Sequence, residues 1–128
     1  MAEERVWVLD VGNCDPDHGM IRRMLTEHFD VEIDRVMFVD EALDRMRNKP
    51  YALVLVNRLI FGDGSEGMAL VRQAKADTAL SKTPIMLISN FAKAQNAAVA
   101  EGTERGFGKD ALFQSETLER LAPFLPEK

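Results

Sequence analysis

A glycine-rich pattern and the two polar residues before it are the parts of this chain whose types and spacing could do chemistry. Gly62, Gly64 and Gly67 stand in the order G-x-G-x-x-G, and Asn57 and Arg58 follow the apolar run that precedes them. Glycines at this spacing can let a backbone approach a pyrophosphate at a helix N-terminus. A polar residue at the end of a buried strand can instead hold a catalytic or ligand-binding group at the edge of a sheet.

The glycines are predicted to form a surface turn. A dinucleotide-binding turn needs its first glycine at the strand end, whereas the bulky residues RLIF separate Gly62 from Asn57. The acid expected about 20 residues after such a motif is also missing, because that region reads KTPIML. The segment GFGK at 106–109 lacks the upstream glycine and the Ser or Thr of a phosphate-binding loop. Ser65 is predicted to cap the helix that follows the turn.

Short apolar runs alternate with amphipathic stretches along the chain, and these are the elements that must position the polar residues. The predicted strands lie at 6–9, 31–38, 52–56, 84–89 and 105–108. Helical spacing fills the intervals, with an alanine-rich helix at 92–100 and a helix at 66–76 after the glycines. Five strands alternating with five helices predict a doubly wound α/β fold with a five-stranded parallel sheet.

The residues at the ends of those strands are the candidates for a functional site. Right-handed crossovers bring the carboxyl ends of parallel strands to one edge, where ligands bind. The candidates at that edge are Asp10, Asn57, Arg58, Ser89 and Lys109. Only Ser89 with Lys109 approaches a nucleophile–base pair, so an enzyme on this scaffold is not favoured.

Length, charge and cysteine content restrict the class of protein. A chain of 128 residues predicts one domain, spanning 1–128, and a net charge of −5 with scattered Lys and Arg predicts no nucleic-acid partner. The one cysteine, Cys14, fits a reducing compartment. Acidic residues precede the first apolar run, unlike a signal peptide, and no run approaches the roughly 20 residues that span a bilayer. We therefore expect a cytoplasmic protein with no membrane partner.

Several segments resemble the receiver domain of two-component response regulators. DEALDRMRNKPYALVLVN at 40–57 is similar to the second helix and third strand of that family. TPIMLIS at 83–89 is similar to its fourth strand, and AEGTERGFGK at 100–109 to a glycine-led fifth strand ending in lysine. The resemblance covers nearly the full length. It implies a flavodoxin-like (βα)5 fold with strand order 2-1-3-4-5 and a place in two-component signalling or a phosphorelay.

The phosphoacceptor position departs from that family's pattern. Receivers place an aspartate at the end of the third strand, where this sequence has Asn57, and a neutral carboxamide is neither that nucleophile nor a strong Mg²⁺ ligand. Receivers also hold the metal with two adjacent acids after the first strand. Here that pair reads Asp10–Val11 in one register and Asn13–Cys14 in the other. No metal or other cofactor is therefore expected. The aromatic residue of the family's fifth strand falls on Gly106.

Two positions match the family. Ser89 corresponds to the small hydroxyl that contacts phosphoryl oxygen, and Lys109 to the lysine of the pocket. We expect Asp10 to pair directly with Lys109 and Asn57 to hydrogen-bond to one of them, which would fix the domain in one state. A variant hypothesis is that Arg58 and Lys109 hold a small anion.

The segment NCDPDH at 13–18 is predicted to begin a helix, with Asp15 as N-cap and Pro16 at the first helical position. A zinc site is not favoured, because structural zinc takes four ligands, commonly in two separated pairs. The loop is longer than receivers usually carry and is predicted to overhang the site. Cys14 at its edge is the residue to test for thiol reactivity.

These observations predict a stand-alone pseudo-receiver that acts without phosphorylation, through protein–protein interaction. The expected partner is a protein such as a histidine kinase or a downstream effector, bound through the Phe91–Pro126 face that the resemblance implies. The oligomeric state is expected to be a monomer or a weak homodimer. The alternative is a receiver-like domain that binds an anion or metabolite, or that is phosphorylated at a non-standard acid such as Asp10.

Overall fold

A computed structural model describes residues 5–128 of the protein. In chain order its elements are β1 (Trp7–Val11), α1 (Asp15–His28), β2 (Glu32–Val36), α2 (Val39–Asn48), β3 (Leu53–Asn57), α3 (Met68–Ala76), β4 (Ile85–Ile88), α4 (Ala92–Ala100), β5 (Glu104–Phe107) and α5 (Ser115–Leu121), with a 3₁₀ turn at Lys109–Ala111. The strands form one parallel sheet in the order β2-β1-β3-β4-β5. This confirms the predicted doubly wound, flavodoxin-like architecture.

The centre of the sheet is buried between two layers of helices because β3 and β4 are apolar on both faces. Along β3, Leu53 and Leu55 pack in the core beneath α1 and α5, whereas Val54 and Val56 pack beneath α2, α3 and α4. All strand carboxyl ends therefore lie at one edge, next to the first turns of the helices. Within residues 5–128, no helix is long and apolar enough to cross a membrane.

Strand β1 is longer than predicted, which changes the position of Asp10. The strand continues to Val11, so Asp10 lies inside it, in register with Arg35 of β2 and Leu55 of β3. Asn57 is likewise the last residue of β3 rather than the first residue after it. The side chain of a residue inside a strand is fixed to one face of the sheet, so Asp10 has less freedom than a loop residue would have.

Two predicted helix caps were wrong. Cys14 is the N-cap of α1, so Asp15 is the first helical residue instead of the cap. Gly67 is the N-cap of α3. Ser65 does not cap that helix, because its amide and hydroxyl both donate to the carboxylate of Asp63, at 2.9 and 2.6 Å, within the preceding turn.

Candidate functional site at the carboxyl ends of the strands

A small cleft opens where β3, β4 and β5 end. Its volume is about 160 Å³, and four of the five predicted site residues line it: Asn57, Arg58, Ser89 and Lys109. Asp10, the fifth, does not line the cleft and is only 1% exposed. The structure therefore brings the predicted residues of β3, β4 and β5 together and separates the acid of β1 from them.

Asp10 is held by two side chains from the residues that follow β1. Asn13 Nδ2 donates to Asp10 Oδ1 at 2.6 Å, and His18 Nδ1 lies 2.6 Å from Asp10 Oδ2. Since an ionised carboxylate can only accept, the shared hydrogen belongs to Nδ1 of the ring. Asp10 and Asn13 are buried, and the His18 side chain is 17% exposed. Both carboxylate oxygens are thus satisfied inside the protein, as a buried charge requires.

Lys109 is neutralised by Asp17 in the first turn of α1. Its Nζ donates to Asp17 Oδ2 at 2.7 Å. This hydrogen bond lowers the pKa of the Asp17 carboxyl below its ordinary value, against the effect of burial and with a smaller contribution from the thiol of Cys14. The predicted pair of Asp10 with Lys109 is therefore wrong. The first turn of α1 reaches the sheet edge, where His18 bonds to Asp10 and Asp17 bonds to Lys109.

The side chain of Asn57 joins two backbone segments. Its Nδ2 donates to the carbonyl oxygens of Gly12, at 3.2 Å, and Leu59, at 2.7 Å. The expected hydrogen bond to Asp10 or Lys109 is not formed. The carboxamide instead ties the end of β3 to the loop after β1, and it does so with both of its N–H groups. A carboxylate has no hydrogen with which to make these contacts.

The third glycine of the G-x-G-x-x-G pattern allows close packing against β3. A Cβ atom on Gly67 would lie 2.1 Å from the carbonyl oxygen of Asn57. The amide of Gly67 donates to the carbonyl oxygen of Arg58 at 2.8 Å. The amide is thus used inside the turn, and glycine is required because backbone meets backbone here.

A buried glutamine of α4 ties the ends of β4 and β5 together. Gln95 Nε2 donates to the carbonyl oxygens of Leu87 (2.9 Å) and Ser89 (3.2 Å), and Gln95 Oε1 accepts from the amide of Gly106 (2.9 Å). A Cβ atom on Gly106 would lie 2.1 Å from Leu87 O. The hydroxyl of Ser89 accepts from the amide of Phe91 at 3.1 Å. Buried hydrogen bonds thus fix this edge, and position 106 has no room for a side chain.

Comparison with known proteins identifies the architecture. No protein-family sequence model and no curated protein sequence matches this chain. Among solved structures, the chemotaxis response regulator CheY4 of Vibrio cholerae is 17% identical over 92% of this chain and 99% of its own, with a TM-score of 0.72. A CheY-like receiver domain from Methylobacillus flagellatus is 20% identical over 94% and 98%, with a TM-score of 0.72. A sensor protein from Polaromonas sp. JS666 is 18% identical over 92% of each chain, with a TM-score of 0.76. The chain has the fold of a CheY-like receiver domain.

Sequence reasoning missed the side chains that close the site of this receiver fold. Asp17 was interpreted only as an acid at the start of a helix, His18 only as part of an unfavoured zinc site, and Asn13 only as one register for the acidic pair. A signal was present, since α1 follows β1 directly and must begin at the same edge as the candidate residues. Gln95 was missed as well. Its signal was a long polar residue among the alanines of α4, on a helix expected to pack on the sheet.

Arg58 lies over the Phe91 ring and, within residues 5–128, forms no ion pair with Asp17. Its guanidinium carbon lies 5.2 Å from the centroid of the Phe91 ring. Among residues 5–128 it forms no ion pair, although it lines the cleft of the receiver fold. An anion shared by Arg58 and Lys109 would therefore compete with Asp17. In the part of the chain that the structure describes, no group of three or more His, Cys, Asp or Glu side chains is arranged to hold a metal ion.

Asn57→Asp introduces the carboxylate that receivers carry at the end of the third strand. This substitution is expected to destabilise the fold by about 1–3 kcal/mol at neutral pH. The substitution removes both donated hydrogen bonds and places a carboxylate against two carbonyl oxygens. These oxygens disfavour the charged form, so the introduced carboxyl will have a raised pKa. A group with a raised pKa in the folded state loses stability as pH rises through that pKa. Urea unfolding should therefore show a smaller difference in stability between Asn57→Asp and the wild type at acidic pH than at neutral pH.

Asn90→Asp is the matched control for that substitution. The side-chain oxygen of Asn90 accepts from the amide of Asp110 at 3.1 Å, and a carboxylate can still accept there. We expect a change within about 0.5 kcal/mol. An Asn57→Asp variant as stable as the wild type at neutral pH would contradict the assigned hydrogen bonds.

Proposed function

We propose that this protein is a pseudo-receiver that acts in two-component signal transduction by binding other proteins, without accepting a phosphoryl group. The observation that carries the proposal is the ion pair of Lys109 with Asp17 at 2.7 Å. The lysine that would compensate an added phosphoryl charge is already paired with a carboxylate of its own chain. Because a fold alone does not fix function, the charges of the site are the support for this proposal.

The nucleophile side of the site supports the same proposal. The carboxamide of Asn57 uses its N–H groups on Gly12 and Leu59 and has no charge with which to attack phosphorus. Asp10, the alternative acceptor, is 1% exposed and has both oxygens hydrogen-bonded. It is therefore poorly placed to meet a phosphodonor or to join a hydrated dication. These features support our proposal of a non-catalytic role.

The opposite side of the cleft supports a single conformational state. Gln95 bonds to both β4 and β5, and the backbone at Gly106 leaves no space for a rotating aromatic ring. A switch needs an element with two arrangements that a ligand can bias. These buried contacts favour one arrangement, so the protein would present a constant surface to its partner.

The output of such a protein passes through a partner, for which we propose a histidine kinase or a downstream effector. The proposed contact is the Phe91–Pro126 face, on which Phe91 and Phe113 are 59% and 43% exposed. Aromatic side chains are enriched in protein interfaces, which supports this choice. We propose that the protein is a monomer or a weak homodimer.

The test is an amide NMR titration with Mg²⁺, followed by Mg²⁺ with beryllofluoride as an acyl-phosphate mimic. We expect no saturable shifts at Asn57, Ser89 or Lys109, because the acceptor is an amide and the lysine is paired. Intact-mass measurement after incubation with acetyl phosphate should likewise show no phosphoryl adduct. A receiver domain that carries the usual aspartate provides the positive control in the same buffer.

Saturable shifts at the strand ends, or a phosphoryl adduct, would overturn the proposal. An adduct on Asp10 would support the alternative of a non-standard phosphoacceptor. Titration with inorganic phosphate alone tests the remaining alternative, in which Arg58 and Lys109 hold an anion after Lys109 leaves Asp17.

A further inference from the structure

A groove runs between α3 and α4 on the side of the sheet that carries α2. Its volume is about 240 Å³, and Leu87 of β4 lies at its base. Met68 of α3 and the alanines Ala94 and Ala97 of α4 form its walls. The alanines keep the groove open, because longer side chains at these two positions would fill it. The alanine-rich sequence of α4 thus creates an apolar depression on the surface.

Where the groove meets the cleft at the strand ends, it is lined by an arginine and an exposed leucine, and an exposed phenylalanine lies against the arginine. Arg58 and Leu59 line both the groove and the cleft at the strand ends. Leu59 is 42% exposed, and Phe91, over which the Arg58 guanidinium lies, is 59% exposed. Exposed aromatic and apolar side chains beside an arginine are the composition typical of the centre of a protein interface.

The charges around the groove indicate what it binds. Arg72, on its α3 wall, is bonded to Glu101 at 3.0 Å and lies 4.0 Å from Glu66. Within residues 5–128, Arg58 has no such acidic partner. The chain as a whole carries a net charge of −5. Arg58, which lines the apolar groove and has no acidic partner among residues 5–128, is complementary to a carboxylate on an apolar partner.

We propose that the α3–α4 groove docks an amphipathic helix of a partner protein, with apolar side chains in the groove and a carboxylate on Arg58. A helix suits the site because its apolar residues at i, i+3, i+4 and i+7 match a narrow groove between two helices. The proposal rests on the proposed function in that the protein acts through a partner. It places the contact on the side of α4 away from β5, and so on a different surface from the rest of the Phe91–Pro126 face.

The test uses a synthetic helical peptide with leucines on one face and glutamates on the other. In an amide NMR titration of the whole chain, we expect saturable shifts at Leu59, Ala94 and Ala97. A peptide with lysines in place of the glutamates should bind at least about tenfold more weakly, because it presents no carboxylate to Arg58. A peptide with glutamates but no leucines should not bind, because it has nothing to bury in the groove.

Two substitutions test the two parts of the site. Arg58→Glu should weaken binding of the acidic peptide by at least about tenfold, and Arg105→Glu, on the other side of α4, should not. Ala97→Leu should fill the groove and abolish binding, whereas Ala100→Leu, at the exposed end of α4, should leave it unchanged. Circular dichroism of each variant shows whether the fold is retained.

A failure of the groove as a docking site can be distinguished from a failure of the proposed function. Peptide-induced shifts confined to the β5 side of α4, or binding that survives both Arg58→Glu and Ala97→Leu, would overturn the groove as a docking site. Absence of acidic-peptide binding to the wild type would also overturn it. None of these results affects the beryllofluoride titration, which tests the proposed function on the same sample.

Discussion

Gly106→Ala is expected to destabilise the protein by about 3 kcal/mol, at the upper end of the cost of overpacking a core. A Cβ atom on residue 106 would lie 2.1 Å from the carbonyl oxygen of Leu87 and 3.1 Å from its carbonyl carbon. Both atoms belong to the backbone of β4, which cannot move aside without breaking the sheet. The pairing of β4 with β5 is already irregular between Met86 and Ile88. Any shift would also strain the hydrogen bonds of Gln95 to both strands.

Chemical or thermal unfolding of Gly106→Ala and Gly19→Ala gives a matched comparison. Gly19 lies inside α1, and a Cβ atom there would have no atom within 4 Å. The same substitution should therefore stabilise the protein by about 0.5–1 kcal/mol at this helical position. A Gly106→Ala variant within about 0.5 kcal/mol of the wild type would show that β5 can move away from β4. In that case the contacts of Gly106 would no longer restrict the protein to a single conformational state.

The fold could be predicted from the sequence because its signals are local or repeated. Apolar runs on both faces identify buried strands without knowledge of their neighbours. The helix at 92–100 was predicted with the bounds observed for α4. The strand order came from the resemblance to receivers rather than from the pattern. The strand ends then located Asn57, Arg58, Ser89 and Lys109, and these four residues do line one cleft.

The partners of those residues could not be predicted, because they depend on strand ends and side-chain directions. With β1 ending at Leu9, Asp10 would be a loop residue free to reach Lys109. With β1 ending at Val11, Asp10 follows the alternation of the strand and shares the face of Val8, which packs beneath α1. From that face it meets His18 rather than the cleft. An error of two residues in one strand end therefore changed the predicted ion pair.

His18→Leu is expected to destabilise the protein by about 3 kcal/mol at neutral pH, the upper end of the cost of leaving a buried acceptor without its hydrogen-bond donor. The leucine would leave Asp10, 1% exposed, with only the amide of Asn13 as a donor. A carboxylate that has lost one of its two hydrogen bonds is costly to keep away from water. Urea unfolding at neutral pH measures this loss of stability.

Two control substitutions test whether the loss of stability in His18→Leu comes from the buried charge of Asp10. His28→Leu changes an exposed histidine of the same helix and should alter stability by no more than about 0.5 kcal/mol. Asp10→Asn should cost little by itself, because its oxygen can still accept from Asn13 and its N–H can donate to the other tautomer of His18. Combined with His18→Leu, it should recover much of the lost stability, since no charge is then buried without a partner. If the double variant is no more stable than His18→Leu alone, His18 contributes through packing, and the Asp10–His18 pair is not what holds the start of α1 against the sheet.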